Sequence, residues 1–263
     1  MIIDFHAHIY PPPVAAKILP AARRKLKVEV PGSGAPQDLL GHMSRSGIAR
    51  SVLLPLAKGR EDVSSLNDWI LSVSDEGLIP FGAIHPFMEN LEAELDRLAG
   101  CGVRGVKIMP LLQEFYPDDQ CCERLYEALI KREMMLVTHT GRDPLEREEV
   151  FGTPERFARV VQCYPELKLL LAHLGGMRMW DESRRHLLPA GGNAYFDTAY
   201  VSFYLDEKNM ADLIQDIGAD RVIFGSDYPW EIPGRAVEII QRLDLSEGEK
   251  EAILWKNASI LLE

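Results

Sequence analysis

The chain alternates short, almost wholly apolar runs with longer segments in which apolar residues recur every three or four positions. The short runs are residues 2–5, 51–54, 79–84, 105–109, 134–138, 167–172, 194–198 and 221–226. They are too brief for helices and apolar on both faces, so they predict the buried strands of a parallel sheet. The longer segments predict amphipathic helices. One runs from Pro36 to Ser46 and closes at Gly47, and another spans 62–76 with Leu66, Trp69, Ile70 and Val73 on one face. Further helices follow Asn90 (Leu91, Leu95, Leu98), Asp118 or Asp119 (Leu125, Leu129) and Thr153-Pro154 (Phe157, Val160, Val161). Residues 179–188 read as a shorter, irregular helical piece, 206–217 as a regular one, and 234–243 and 247–262 as two closing helices. Pro11-Pro12-Pro13 cannot continue a central strand, so the stretch to about Pro36 reads as a long irregular loop of the functional kind.

Eight strands, each followed by a helix or a helix-like piece, predict a (β/α)8 TIM barrel rather than a doubly wound sheet. The 263 residues suit one such barrel, typically about 250 residues long, as a single domain over 1–263. No composition shift or linker marks a second domain.

Composition narrows the partners. The chain is 46% hydrophobic and 26% charged, enough apolar matter for a large core. A net charge of −11 argues against nucleic acid and anionic membranes, which reward basic patches. No apolar run approaches the roughly 20 residues of a spanning helix. The four cysteines include no Cys-x-x-Cys pair and read as reduced thiols. With no basic-then-apolar leader before the first strand, the expectation is a cytoplasmic protein with a small-molecule substrate, with room for a homo-oligomer.

The candidate chemistry lies where strands end, the face on which barrels of this kind place reactive groups. Those positions hold His6 and His8 (strand 1), His85 (strand 3), Lys107 (strand 4), His139 (strand 5), His173 (strand 6) and Asp227 (strand 8). Five of the seven histidines fall there, which scattered structural histidines would not do. In a strand, His6 and His8 share a face. Each residue alone has a plainer reading: His6 and His8 as solvated side chains, His139 and His173 as hydrogen-bonded core histidines, Asp227 as a helix cap. Together, His6, His8, His139 and Asp227 form a ligand set for one divalent ion, zinc first, with manganese or iron(II) also suited. Such an ion lowers the pKa of bound water. His173 would stay unligated as acid/base, and Asp227 would also move a proton. Lys107 reads as an ammonium holding a substrate carboxylate, or as a carboxylated bridge between two metals. Arg142 is a candidate carboxylate anchor or a solvated loop arginine. His85 is as readily structural as functional. Trp180 and Tyr228 read as pocket lining or as packing.

Read together, Asp4-Phe5-His6-Ala7-His8, Gly105-Val106-Lys107 with Pro110, Thr138-His139-Thr140-Gly141, Ala172-His173-Leu174-Gly175-Gly176, Gly225-Ser226-Asp227-Tyr228-Pro229 and Asn257-Ala258 resemble the amidohydrolase superfamily. The nearer likeness is to the amidohydrolase-related group that includes aminocarboxymuconate-semialdehyde decarboxylase. The resemblance implies a (β/α)8 barrel with a mononuclear metal. It matches His6, His8, His139 and Asp227 to the ligands and His173 to an unligated catalytic histidine. In the binuclear branch, the strand-6 histidine is itself a ligand and the strand-4 lysine is carboxylated. Some members hydrolyse lactones or amides, and others release CO2 without an oxidant. The short connections after strands 6 and 7 put a metal-dependent hydrolase of a small, carboxylate-bearing ester, lactone or amide first. A non-oxidative decarboxylase comes second and a non-catalytic binding barrel third.

Overall fold

The eight apolar runs do form eight parallel strands among the described residues. The computed structural model describes residues 1–73, 75–144 and 148–263. The strands are β1 (Ile3–Ala7), β2 (Arg50–Leu53), β3 in two pieces (Leu78–Pro80 and Gly82–Ala83), β4 (Gly105–Ile108), β5 (Met135–Thr138), β6 (Leu169–Leu171), β7 (Ala194–Asp197) and β8 (Val222–Ile223). Each pairs with the next in parallel register, for example Val106 with Leu136 and Leu136 with Leu169. The two pieces of β3 are joined at Phe81, whose N–H donates to Leu53 O at 3.0 Å. The ring closes between β1 and the chain beyond β8. Phe5 N donates to Phe224 O (2.8 Å), Asp227 N to His6 O (2.8 Å) and His8 N to Tyr228 O (2.7 Å).

Strand side chains alternate, and the core splits accordingly into two layers. Val52, Leu54, Phe81, Met135, Val137, Leu170 and Ile223 fill the barrel interior. Leu53, Val106, Leu136, Leu169, Leu171 and Phe196 face the surrounding helices. In β1 the pairing register shifts between Asp4 and Ala7. That irregularity lets Phe5 pack inside the barrel, edge-on to Phe81 with ring centroids 5.6 Å apart. His6, the next residue, also reaches the interior at the barrel mouth. Bulges next to active sites commonly re-aim a side chain in this way.

The amphipathic segments form the outer helices. These include α1 (Pro12–Leu26), α2 (Pro36–Ser46), α3 (Val63–Ser72), α4 (Leu91–Gly100), α5 (Glu123–Lys131), α6 (Pro154–Cys163), α7 (Glu207–Ile217) and α8 (Pro233–Arg242). Gly47 ends α2 at φ 68°, as its sequence position predicts. Thr153 and Asp206 cap α6 and α7, accepting from Arg156 N (3.3 Å) and Asn209 N (2.8 Å). Asn90 and Asp119 make no such cap bond, and Asp118 is committed to ion pairs with Arg156 (2.6 Å) and Arg159 (2.5 Å). The irregular piece is a turn of α-helix (Trp180–Glu182), a π-helical stretch (Ser183–Leu187) and a 3-10 turn. The 62–76 helix is shorter than expected, giving way to extended backbone at Val73, and position 74 lies outside the described residues.

The clearest departure is α1, where an irregular loop was expected. Pro12 and Pro13 occupy the first helical positions, where the missing N–H has no partner to lose. Ala15, Ala16, Ala21 and Ala22 then favour the helix. Lys27, in the left-handed conformation at φ 53°, ends it. No described helix is long and apolar enough to cross a membrane.

Candidate metal centre

Three of the four expected ligands converge at the mouth of the barrel: His6, His8 and Asp227. His6 Nε2 lies 3.1 Å from His8 Nε2. Asp227 Oδ1 lies 3.5 Å from the former and 3.2 Å from the latter. The strand closure that brings them together needs Gly225, because a Cβ there would sit 2.8 Å from His6 Cβ. Asp4 fastens the same seam. Its carboxylate accepts from His6 N (3.1 Å), Ser226 N (2.9 Å) and Ser226 Oγ (2.5 Å), tying β1 to the loop that carries Asp227.

Hydrogen bonds made by the other ring nitrogens set the tautomers. His8 Nδ1 donates to Leu54 O (2.6 Å), a carbonyl that can only accept. His6 Nδ1 donates to the Asp197 carboxylate (2.7 Å). With Nδ1 the donor in each ring, the two Nε2 atoms are the positions left for a ligand bond, and they face each other and a carboxylate oxygen. Three acceptors at these distances repel unless a cation lies among them. Ligating histidines elsewhere are oriented by the same device, an N–H given to a carboxylate or carbonyl.

His139 stands beside this cluster rather than within it. Its Nδ1 meets His173 Nε2 at 2.9 Å, and its Nε2 is buried with no hydrogen-bond partner. An orphaned imidazole nitrogen against a ring of acceptors fits a cation as its missing partner. His173 donates from Nδ1 to Ala199 O (2.8 Å), so both of its ring nitrogens are engaged. His173 and Asp227 hold left-handed backbones at φ 61° and 64°, strain of the kind that collects at functional sites.

Charge at the centre follows from burial and neighbours. Burial lowers the pKa of His6, with Lys107 adding to the effect and Asp197 and Asp227 opposing it. Burial, His173 and Lys107 push His139 well down, and burial lowers His173. Burial works against the Asp227 carboxylate, but His6 and His8 hold it well below the ordinary carboxylate range. Lys107 is brought down by burial to about 8, with Asp197 and Asp227 resisting. Burial raises Asp4 to about 7. The favoured forms are thus neutral imidazoles beside an ionised Asp227, as a divalent ligand set requires.

Above the cluster lies a cavity of about 130 Å³. His6, His8, His139, His173, Asp227 and Lys107 form its polar side, while Val28, Leu56, Met109, Met177 and Trp230 give it apolar walls. For scale, an apolar protein cavity of about 150 Å³ takes up benzene.

Several expected positions fall elsewhere. Arg142 is not among the described residues lining the cavity; Asp143 and Pro144 hold that part of the wall, and the backbone N–H of Arg142 donates to Met177 O (2.9 Å). Trp180 is spent on His173 O (3.0 Å) and Tyr228 on Asp38 (2.8 Å), so both pack behind the site. Tyr200 and Trp230 take the lining positions instead. His85 accepts from Phe87 N (3.2 Å) and does not line the cavity. Asp197, fully buried at the end of β7, was missed. The signal that found the others, a polar residue closing an apolar run, was present there too.

A parallel eight-stranded barrel with a buried His-His-Asp cluster at its mouth, and the unpartnered Nε2 of His139 beside it, defines the class: a (β/α)8 protein with a candidate divalent-metal centre. The chain belongs to the amidohydrolase family, whose model matches residues 3–263. A γ-resorcylate decarboxylase from Polaromonas sp. strain JS666 is 30% identical over 115 residues, covering 38% of this chain and 35% of that one. The match thus spans about a third of that relative's length. Among solved structures, an uncharacterised TIM-barrel protein from Bordetella bronchiseptica superposes with a TM-score of 0.78 at 23% identity, over 99% of this chain and 98% of that one. A dihydroxybenzoic acid decarboxylase from Polaromonas sp. JS666, with bound manganese and the inhibitor 2-nitroresorcinol, has a TM-score of 0.71 at 18% identity, over 99% and 96%.

Proposed function

We propose that the protein is a metal-dependent, non-oxidative decarboxylase of a small hydroxylated aromatic or unsaturated acid. The observation that carries this reading is the one-ring-sized cavity of about 130 Å³, with an acceptor cluster and the Lys107 ammonium on one side and apolar walls elsewhere. The hydrolase that the residues alone put first becomes the second reading. The relatives named above that have an assigned reaction are decarboxylases.

A divalent ion held by His6, His8 and Asp227, with His139 beside them, would supply positive charge to orient the acid and its neighbouring hydroxyl. Zinc suits the donors, and manganese is the ion bound in the dihydroxybenzoic acid decarboxylase. The chain's own groups do the rest. Lys107 balances the incoming carboxylate. Met109, Met177 and Trp230 hold the ring and exclude water. The bond from the ring carbon to the carboxylate breaks, CO2 leaves, and the electron pair left on carbon takes a proton. Asp227 delivers that proton, having received it from the ring hydroxyl of the substrate, and the ring oxygen recovers one from solvent. His173 lines the cavity with Nδ1 held by Ala199 O, so any acid/base role runs through Nε2, the nitrogen on His139 Nδ1.

The test is a panel of hydroxybenzoic and unsaturated acids set against lactones, esters and amides, using the metal-loaded protein. Release of CO2 from the acids is expected. Ring or amide opening without CO2 would replace this reading with the hydrolase.

A further inference from the structure

Asp197 is not a candidate ligand, yet it holds two members of the centre at once, the ring of His6 and the backbone of His173. It is fully buried, at the end of β7. Its Oδ2 accepts from His6 Nδ1 at 2.7 Å. Its Oδ1 accepts from the backbone N–H of His173 (2.8 Å) and of Ala199 (3.1 Å). The carbonyl of Ala199 in turn accepts from His173 Nδ1 (2.8 Å), and His173 Nε2 meets His139 Nδ1 (2.9 Å). One carboxylate therefore grips His173 by its backbone and, through residue 199, by its ring. The path runs unbroken from His6 to His139.

We propose that Asp197 is a positioning residue that fixes His6 as an Nε2 donor and holds His173 against His139, so that the metal centre is preorganised before any ion arrives. This rests on the metal centre proposed above. The argument is one of proton placement. A carboxylate can only accept here, so His6 must keep its proton on Nδ1 and leave Nε2 open. An amide at 197 that still accepts the two backbone N–H groups turns its NH2 toward His6 Nδ1. That nitrogen must then accept, the His6 proton moves to Nε2, and the ligand position is blocked. If the amide turns the other way, the backbone grip on the left-handed His173 is lost instead.

The measurement is zinc affinity of the full-length protein by chelator competition, with Asp197→Asn set against the unaltered chain. Loss of a ligand's orienting partner typically weakens metal binding 10–100-fold. We expect a fall of that size (about 10–100-fold) while the metal-free variant keeps a cooperative thermal transition. A variant whose transition drops but whose zinc affinity stays within twofold of the unaltered protein would make Asp197 merely structural and overturn the proposal. Should Asp197→Asn not fold, the nitrogen resonances of His6 in the metal-free, unaltered protein decide. A proton on Nδ1 supports the inference, and a proton on Nε2 overturns it. Zinc affinity that depends on Asp197 in a protein that releases no CO2 would support this inference and overturn the decarboxylase reading alone.

Discussion

Lys107 weakens the fold that holds it. Burial lowers its pKa from 10.5 to about 8, so between those values the unfolded chain binds more protons than the folded one. Stability therefore rises with pH through that window, and below about 8 the fold carries the whole cost, roughly 3 kcal/mol. Lys107→Met is expected to raise the Tm of the metal-free protein at pH 7 by several degrees while abolishing turnover of an acid. A lowered Tm would show that the ammonium is held by more than its surroundings indicate. The ligands carry a separate expectation. The purified protein should hold about one divalent ion per chain, and His6→Ala or Asp227→Ala should lose most of it while remaining folded. Full metal content in both variants, read by elemental analysis, would remove the centre from the account. At this scale the sequence was most legible where a polar residue closed an apolar run, because a buried polar side chain needs a reason. His6, His8, His139, His173, Lys107 and Asp227 all line the cavity they were expected to share. Arg142, Trp180 and Tyr228, each open to a second reading, lie off the described cavity wall, because the direction of a side chain beyond the strand ends is set by its neighbours in space and leaves no periodic mark in sequence.

The helices and strands were read well wherever packing on the barrel reinforced the local pattern. Thr153-Pro154 opens one helix and Gly47 closes another, as expected. Residues 27–35 are irregular as expected, but 12–26 were misread because α1 lacks that reinforcement. Of its described side chains only Leu19 is buried, so the segment shows no apolar stripe to find. Pro12 and Pro13, which cannot continue a strand, start a helix instead. The same poverty of burial has a dynamic consequence. Just beyond α1, Val28 lines the cavity, and Tyr10, Leu19 and Val30 form a small cluster set apart from the main core. A helix with one fully buried side chain among those described, and only Ala15 and Ile18 packed beside it, opens at little cost. The amides of α1 are expected to exchange with solvent orders of magnitude faster than those of β5 and β6, and to slow when a dihydroxybenzoic acid occupies the cavity. Equal protection of α1 and the barrel strands would show that the segment is a fixed wall.

Over the whole molecule, eight parallel strands close by hydrogen bonds between β1 and the chain beyond β8, and set five groups in or just past strand ends and one loop carboxylate around one small space. The barrel was legible because alternation of buried strands and amphipathic helices has few other solutions. The closure was not, since the seam that ties Asp4 to Ser226 and packs Gly225 on His6 joins residues more than 200 positions apart. Nor was the reaction: hydrolysis and decarboxylation ask for the same ligand set, and they differ in what fills the cavity. The most direct measurement follows the carboxyl carbon. The metal-loaded protein would be given a carboxyl-labelled dihydroxybenzoic acid in deuterated water. The account predicts labelled CO2 and one deuterium on the carbon that bore the carboxylate, both lost on chelation and in Asp227→Asn. Retention of the label in the acid, with esters or lactones opened by the same preparation, would contradict it.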